Sequence, residues 1–357
     1  MILLSRLLLH AEEDWKASTA RATLSWELRN FGRDEFEDLT ALAQSNHVVV
    51  RGLHAVKELL GEDHGAVQIE WASSALVAER ARIARAIHVL HEICNAFEER
   101  ALGAMVIKSL DHWPDLGSDL DLYTNADPED VSKLMLNRFH AQIAPRSLGD
   151  RLARKWNFLI TGLPEAVEVH VGRMGQTGEQ AALASSLLKG GRMVLLGGYG
   201  FRVPSASGRL MISTLQRMYR HFYFRLCDVA DTAALADAGG IDYEELRSQA
   251  KSAGIWEGVA TFLKIVSDYV RSYRGMGLGM PQFVKEAAHF GGGEVYFGRG
   301  FLRVPILPQS ARLYGSQLAG VLGRGELKNG VRLSLLPWLA TAAVVGQRLT
   351  GSDKGIW

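Results

Sequence analysis

Cysteine is scarce: Cys94 and Cys227 are the two in 357 residues, far apart and outside any CxxC or Cys/His spacing. That excludes a disulfide framework, argues against a structural zinc site and suits a reducing cytoplasm. An excess of one charge is missing too. Lys and Arg number 40 against 39 for Asp and Glu, a net of +1, which excludes a uniformly basic nucleic-acid coat but leaves room for a local patch. Long apolar runs are also lacking. The apolar start, Met1 to His10, is interrupted by Arg6 and followed by Glu12, Glu13 and Asp14, with no small-residue cleavage site, so it does not read as a signal peptide. Leu333 to Gln347 is uncharged but broken by Ser334 and Pro337, and it falls short of the roughly 20 residues of a spanning helix. What remains is 47% apolar and 22% charged, the makeup of a folded, soluble, cytoplasmic protein with two or three domains.

The pattern divides the chain into four parts. Residues 1–99 have helical spacing; a helix opens at Asp34, and another over about 74–102 buries Ile83, Ile87, Leu90, Cys94 and Phe97 on one face. Residues 100–205 change period. Ala104 to Ile107, Asp119 to Tyr123, Lys155 to about Gly162 and Val167 to Val171 read as strands, Pro128 to Phe139 as a helix capped by Asp127, and Gly197-Gly198 as a hairpin turn. Residues 206–290 are helical again: Leu215, Met218, Phe222, Leu226 and Val229 share a face, followed by helices at 243–253 and 256–273. Residues 291–357 form a Gly- and Pro-containing tail with eight basic residues against three acidic. Val304, Ile306, Leu307, Leu335, Leu336 and Trp338 are too apolar for a solvated tail, so it is expected to dock on the fold. The class is α+β, a small mixed sheet between helical regions.

The chemistry concentrates in Gly117-Ser118-Asp119-Leu120-Asp121-Leu122-Tyr123. Residues two apart on a strand share a face, so Asp119 and Asp121 project together while Leu120 and Leu122 enter the core. Paired carboxylates call for a cation between them, and hard oxygen ligands with phosphate and water suit Mg²⁺. In Glu165-Ala166-Val167-Glu168-Val169-His170-Val171, Glu168 and His170 share a face. If this strand pairs beside the first, Glu168 becomes the third carboxylate of a two-metal phosphoryl or nucleotidyl transfer site. His170 either lines the nucleotide pocket or hydrogen-bonds beside it.

The run Ser118-Asp119-Leu120-Asp121-Leu122 resembles the Ser-Asp-Ile-Asp-Leu signature of the DNA polymerase beta-like nucleotidyltransferase superfamily. The wider layout resembles its bacterial uncharacterised nucleotidyltransferase family through Val106-Ile107-Lys108-Ser109, Asp119 to Tyr123, Glu168-Val169-His170 and Arg225-Leu226-Cys227-Asp228-Val229-Ala230, over roughly residues 30–270. The resemblance implies a polymerase-beta-like core. It makes Asp119, Asp121 and Glu168 catalytic and metal-binding, and Lys108, Ser109, Gly117, Ser118 and His170 nucleotide-binding. It also implies two Mg²⁺ ions, with Mn²⁺ as a substitute, an NTP substrate and a hydroxyl acceptor that is a small molecule, a protein or an RNA end. DNA is not expected as a partner.

Three departures stand out. Ser109 replaces the usual glycine, whose backbone reaches φ > 0 more freely; Glu168 replaces the commoner Asp; and residues 291–357 have no counterpart. The basic tail keeps open a toxin-like tRNA 3′-end nucleotidyltransferase, the departures a non-catalytic nucleotide-binding protein, and residues 333–345 a lesser role in peripheral membrane contact. Arg151, Arg154 and Lys155 read as a charged helix surface with phosphate binding as the alternative, and Arg225 with Asp228 as an intrahelical pair.

Overall fold

A computed structural model describes residues 1–10, 19–61 and 65–339. The N-terminal region is helical: α1 (Ile2–Leu8), α2 (Thr19–Arg29), α3 (Arg33–Ser45), α4 (Val49–Leu60) and the long α5 (Val67–Glu99). Helix α5 starts earlier than its apolar spacing suggests. It buries Ile83, Ile87, Leu90, Ile93 and Phe97; Ile93 takes the fully buried place expected for Cys94, which is only half-buried.

The sheet follows as β1 (Ala104–Val106), β2 (Asp119–Thr124), α6 (Pro128–Phe139), β3 (Gln142–Ile143), α7 (Leu148–Ala153), β4 (Lys155–Leu159) and β5 (Ala166–Val171). Its five strands lie in the order β1-β2-β5-β4-β3, with β2 and β5 parallel and the other pairs antiparallel. The expected mixed sheet between helical regions is therefore present. Leu120, Leu122, Val167 and Val169 are fully buried, as alternation demands. Asp127 caps α6 by accepting a hydrogen bond from the Glu129 amide at 2.8 Å. After α8 (Ala181–Leu187), β6 (Arg192–Leu196) and β7 (Tyr199–Val203) form the expected hairpin; Gly197 and Gly198 both have positive φ, the demand of a two-residue turn that matches strand twist.

The next segment departs from a single helical face. Helix α9 (Ala206–Gln216) runs into a π-helical turn, Arg217–His221. Phe222 then turns left-handed at φ 54°, and β8 (Tyr223–Phe224) precedes α10 (Leu226–Asp237). Asp228 is not an intrahelical partner of the Arg225 side chain. Its carboxylate accepts from the Arg225 backbone amide at 2.7 Å and pairs with Arg217 at 2.7 Å, so it caps α10 and anchors the π turn. Helices α11 (Tyr243–Ala253), α12 (Trp256–Arg274) and α13 (Gln282–Ala287) complete this region. Among the described residues, no helix is long and apolar enough to cross a membrane.

The tail adds β9 (Tyr296–Gly298), β10 (Phe301–Arg303), α14 (Ala311–Gly323) and α15 (Leu327–Ser334). Strand β10 lies between β8 and β9, with Leu302 opposite Phe224, so the tail joins a sheet with the preceding region. Of the six apolar residues expected to drive docking, Val304 and Leu336 are buried while Ile306, Leu307, Leu335 and Trp338 are exposed; backbone pairing and Leu302 hold the segment instead. The stretch 333–345 is described only as far as Leu339. The tail's cations are partly spent internally: the Arg332 guanidinium donates to the carbonyls of Leu152 and Thr177 at 3.0 and 2.8 Å, and Arg324 pairs with Glu326.

Folding also undoes one spacing argument. Cys227, more than a hundred residues from either in sequence, lies beside His47 and His112. We expect Leu302→Ala to destabilise the chain by about 2–5 kcal/mol, the cost of truncating a buried leucine. Leu307→Ala, at a side chain 77% exposed, should stay within about 0.5 kcal/mol of wild type. Urea unfolding of both variants checks how the tail is held.

Candidate active site

The parallel register of β2 and β5 sets Asp121 opposite Glu168, Asp119 opposite Ala166 and Tyr123 opposite His170. Two-residue periodicity then puts Asp119, Asp121, Glu168 and His170 on one face of the sheet. Donor atoms of Asp121, Glu168 and His170 all lie within 4.8 Å of one another. Asp119 stands at the open end of β2, with its tip exposed. The protein crowded around it, followed by the charges of Asp121 and Glu168, lifts its carboxyl above the ordinary value. Asp119 shares the face expected from the sequence but lies outside the tight cluster of Asp121, Glu168 and His170.

Two lysines make this concentration of negative charge tolerable. Lys108 forms ion pairs with Asp121 and with Glu168, the latter at 3.2 Å. Lys155 bridges Asp150 and Glu168, both at 2.9 Å; it is buried under the sheet, not on a charged helix surface. His170 Nε2 meets Glu168 Oε1 at 2.7 Å, so the hydrogen-bonding role expected as one alternative is present, while its Nδ1 is buried without a partner. Burial alone would push Glu168 upward, but Lys108, the His170 bond and Lys155 hold it well below the usual carboxylate range. Asp119, by contrast, has no ion-pair partner among the described residues.

Lys108 reaches the two acids through a strained backbone. It has φ 64° and ψ −60°, the centre of a γ-turn closed by the Ser109 amide donating to the Ile107 carbonyl at 2.7 Å. The left-handed position is therefore Lys108, and Ser109 itself needs no glycine-like freedom. The Ser109 hydroxyl accepts from the Asp121 amide at 2.7 Å and lies 3.1 Å from the Asp119 carbonyl, pinning the turn to β2. Strain of about 1–3 kcal/mol is characteristic of such residues at functional sites.

Gly117 and Ser118 are placed differently from the rest. They line a separate cavity with His47, Arg82, Asp115 and Glu165. A Cβ on Gly117 would stand 2.9 Å from the His47 ring, so glycine is required there by packing. Ser118 still donates to Asp119 at 3.3 Å.

The cleft beside the carboxylates is walled by Lys108, His170, Gln176, Gln216, Tyr219 and Arg220. Arg220 belongs to the π turn and has no ion-pair partner among the described residues. His221 reports the field there: burial first, then the charges of Arg220, Arg217, Arg225 and Lys108, depress it well below the ordinary histidine value. Lys108 and Arg220 thus both border the cleft, whose one acidic wall residue is the buried Glu179. Neither Arg220 nor Asp150 stood out in the sequence, and Lys155, read there as a charged helix surface or phosphate contact, sits on β4 opposite His170 and pairs with the acids instead.

Comparison with protein-family models, with curated proteins and with solved structures finds no match.

Lys155→Met should cost about 3–5 kcal/mol, because it strips the charge from buried Asp150 and Glu168, and the double variant with Glu168→Gln should recover part of that loss. Urea denaturation of the set checks this; a Lys155→Met protein as stable as wild type would contradict the charge balance described.

Proposed function

We propose that the chain is a metal-dependent nucleotidyltransferase that moves a nucleoside monophosphate from an NTP to a hydroxyl acceptor and releases pyrophosphate. The observation that carries this reading is the parallel β2–β5 register, which puts Asp119, Asp121 and Glu168 on one face of the sheet. In the proposed reaction the acceptor oxygen forms a bond to the α-phosphorus, the bond from that phosphorus to the bridging oxygen breaks, and the electron pair leaves with pyrophosphate.

The donor set fits the metal this chemistry needs. Carboxylate oxygens with a nearby imidazole suit Mg²⁺ or Mn²⁺, and a buried, unpartnered His170 nitrogen marks a place for a further polar ligand. Asp119, Asp121 and Glu168 would hold it, and when bound it would neutralise the triphosphate and activate the acceptor hydroxyl. The residues of the chain then divide the remaining work. Asp119, at the exposed start of β2 and with no ion-pair partner among the described residues, is the carboxylate most open to an incoming acceptor hydroxyl. Arg220 binds phosphate oxygens from across the cleft. Lys108 has two tasks: it is the internal counter-charge of Asp121 and Glu168, and it lines the cleft, where its ammonium meets a polyphosphate once the carboxylates take another cation.

That double role separates two measurements. Lys108→Met should bind Mn²⁺ alone more tightly than wild type, since the competing ammonium is gone, yet bind NTP in the presence of metal more weakly. Asp121→Asn should lose metal-dependent NTP binding, and its pyrophosphate release with pooled small-molecule, protein and RNA acceptors should fall on the order of a thousandfold, about 4 kcal/mol of transition-state stabilisation. Folded wild-type protein that binds no NTP with Mg²⁺ or Mn²⁺, or an Asp121→Asn variant equal to wild type, would overturn the reading.

A further inference from the structure

A second cluster of ligating side chains lies outside this site. His47 follows the end of α3, His112 closes the one-turn 3₁₀ helix Ser109–His112, and Cys227 sits in the first turn of α10. One ligand atom from each lies within 4.8 Å of the others. The Cys227 sulfur is 3.7 Å from His112 Nε2, across a sequence separation of 115 residues.

Three features mark these as more than neighbours in a core. His112 Nδ1 is 2.5 Å from Asp231 Oδ2, so the carboxylate orients the ring with Nε2 toward the sulfur, the outer-shell arrangement typical of metal-bound histidines. Asp231 is itself held by Arg51, at 2.6 Å, which also binds Asp115 at 2.6 Å. His47 adopts φ 53°, a conformation that glycine or asparagine would take more readily, and its Nδ1 is buried without a partner. Gly117 leaves the space its ring occupies. A strained, unsatisfied imidazole has no structural benefit here.

We propose that His47, His112 and Cys227 form a zinc site that clamps the turn after Lys108 between the two helical regions. Two imidazoles and one thiolate are zinc donors, with one position of the tetrahedron left for water; the set is too soft for Mg²⁺. The cations nearest His47 are Arg225, Arg217 and Arg82. Of those cations, Arg217 is paired with Asp228 and Arg82 with Glu79 and Glu165, while Asp231 and the thiolate supply negative charge next to the ion. A Cys227–His112–Asp231 nucleophile is the competing use of this cluster, but Cys227 is fully buried. The clamp is independent of nucleotidyl transfer. Its structural consequence is local: His112 is four residues beyond the strained Lys108, so the ion would hold that turn from behind.

The test uses the full chain, stripped with a chelator and titrated with Co²⁺ and then Zn²⁺ alone. We expect one Co²⁺ per chain to give a thiolate-to-cobalt charge-transfer band that Zn²⁺ removes, and Zn²⁺ to raise the unfolding temperature. Cys227→Ser should abolish the band and Cys94→Ser should keep it. His47→Asn, which suits the left-handed backbone and so should fold, should weaken Co²⁺ binding tenfold or more. Asp121→Asn should leave the band unchanged, which separates this site from the carboxylate site. No band in folded wild-type protein, a band that survives Cys227→Ser or disappears in Cys94→Ser, or His47→Asn binding as tightly as wild type would overturn the proposal.

Discussion

The pairing of β2 with β5 is the constraint on which the rest of the site depends. Once Asp121 stands opposite Glu168 in a parallel ladder, both carboxylates are committed to a buried face. Such charges are stable there only with close counter-charges and hydrogen bonds. Lys155 on β4 and Lys108 on the turn after β1 supply them from either side. The demand explains an otherwise costly detail: Lys108 reaches its partners only because its backbone enters the positive-φ region, and the Ser109 hydroxyl holds it there by bonding to β2.

Around this centre, ion pairs add to the continuous apolar core that joins the helical regions to the sheet. Arg82 on α5 ties to Glu165 just before β5. Arg51 on α4 reaches both Asp115, ahead of β2, and Asp231 on α10. Arg209 on α9 pairs at 2.7 Å with Asp111 of the 3₁₀ turn. Three of these bridges join a segment that flanks the acidic strands to a helix from another part of the chain, and Arg51–Asp231 joins two helices. The cationic π turn is fixed in the same way, through Arg217 and Asp228, and its Arg220 borders the cleft together with Lys108 and His170. The proposed function uses this arrangement, acids on a sheet and a cation on an anchored turn, to bind a ligand that carries both metal and phosphate.

Most of the core was legible in the sequence because alternation and local capping report on neighbours a few residues away. The limits of α6, the hairpin at Gly197-Gly198, and the shared face of Asp119 and Asp121 all follow from such short-range rules. Parallel pairing of β2 with β5 was legible only as a condition, since no local signal states which strand lies beside which. The misread features are those decided at long range. The helical spacing across Leu215 to Val229 continues through a real break, because Phe222 and Leu226 keep an apolar period while the backbone turns. Ile306, Leu307 and Trp338 remain exposed because β10 secures the tail through its backbone, leaving those side chains no surface to cover. Gly117 belongs to the packing of His47, a residue 70 positions earlier. Cysteine and histidine counting fails for the same reason: His47, His112 and Cys227 come together only when three regions assemble.

The central claim is that the β2–β5 carboxylates hold catalytic metal and the π turn holds phosphate. Diffraction from crystals soaked with Mn²⁺ and a nonhydrolysable NTP, with anomalous data at the manganese edge, tests it most directly. The account predicts anomalous peaks ligated by Asp119, Asp121 and Glu168, with Lys108 displaced from the acids and the triphosphate within reach of Arg220. Manganese bound elsewhere, or a nucleotide seated in the cavity of His47 and Gly117 while Lys108 still pairs with Asp121, would contradict it.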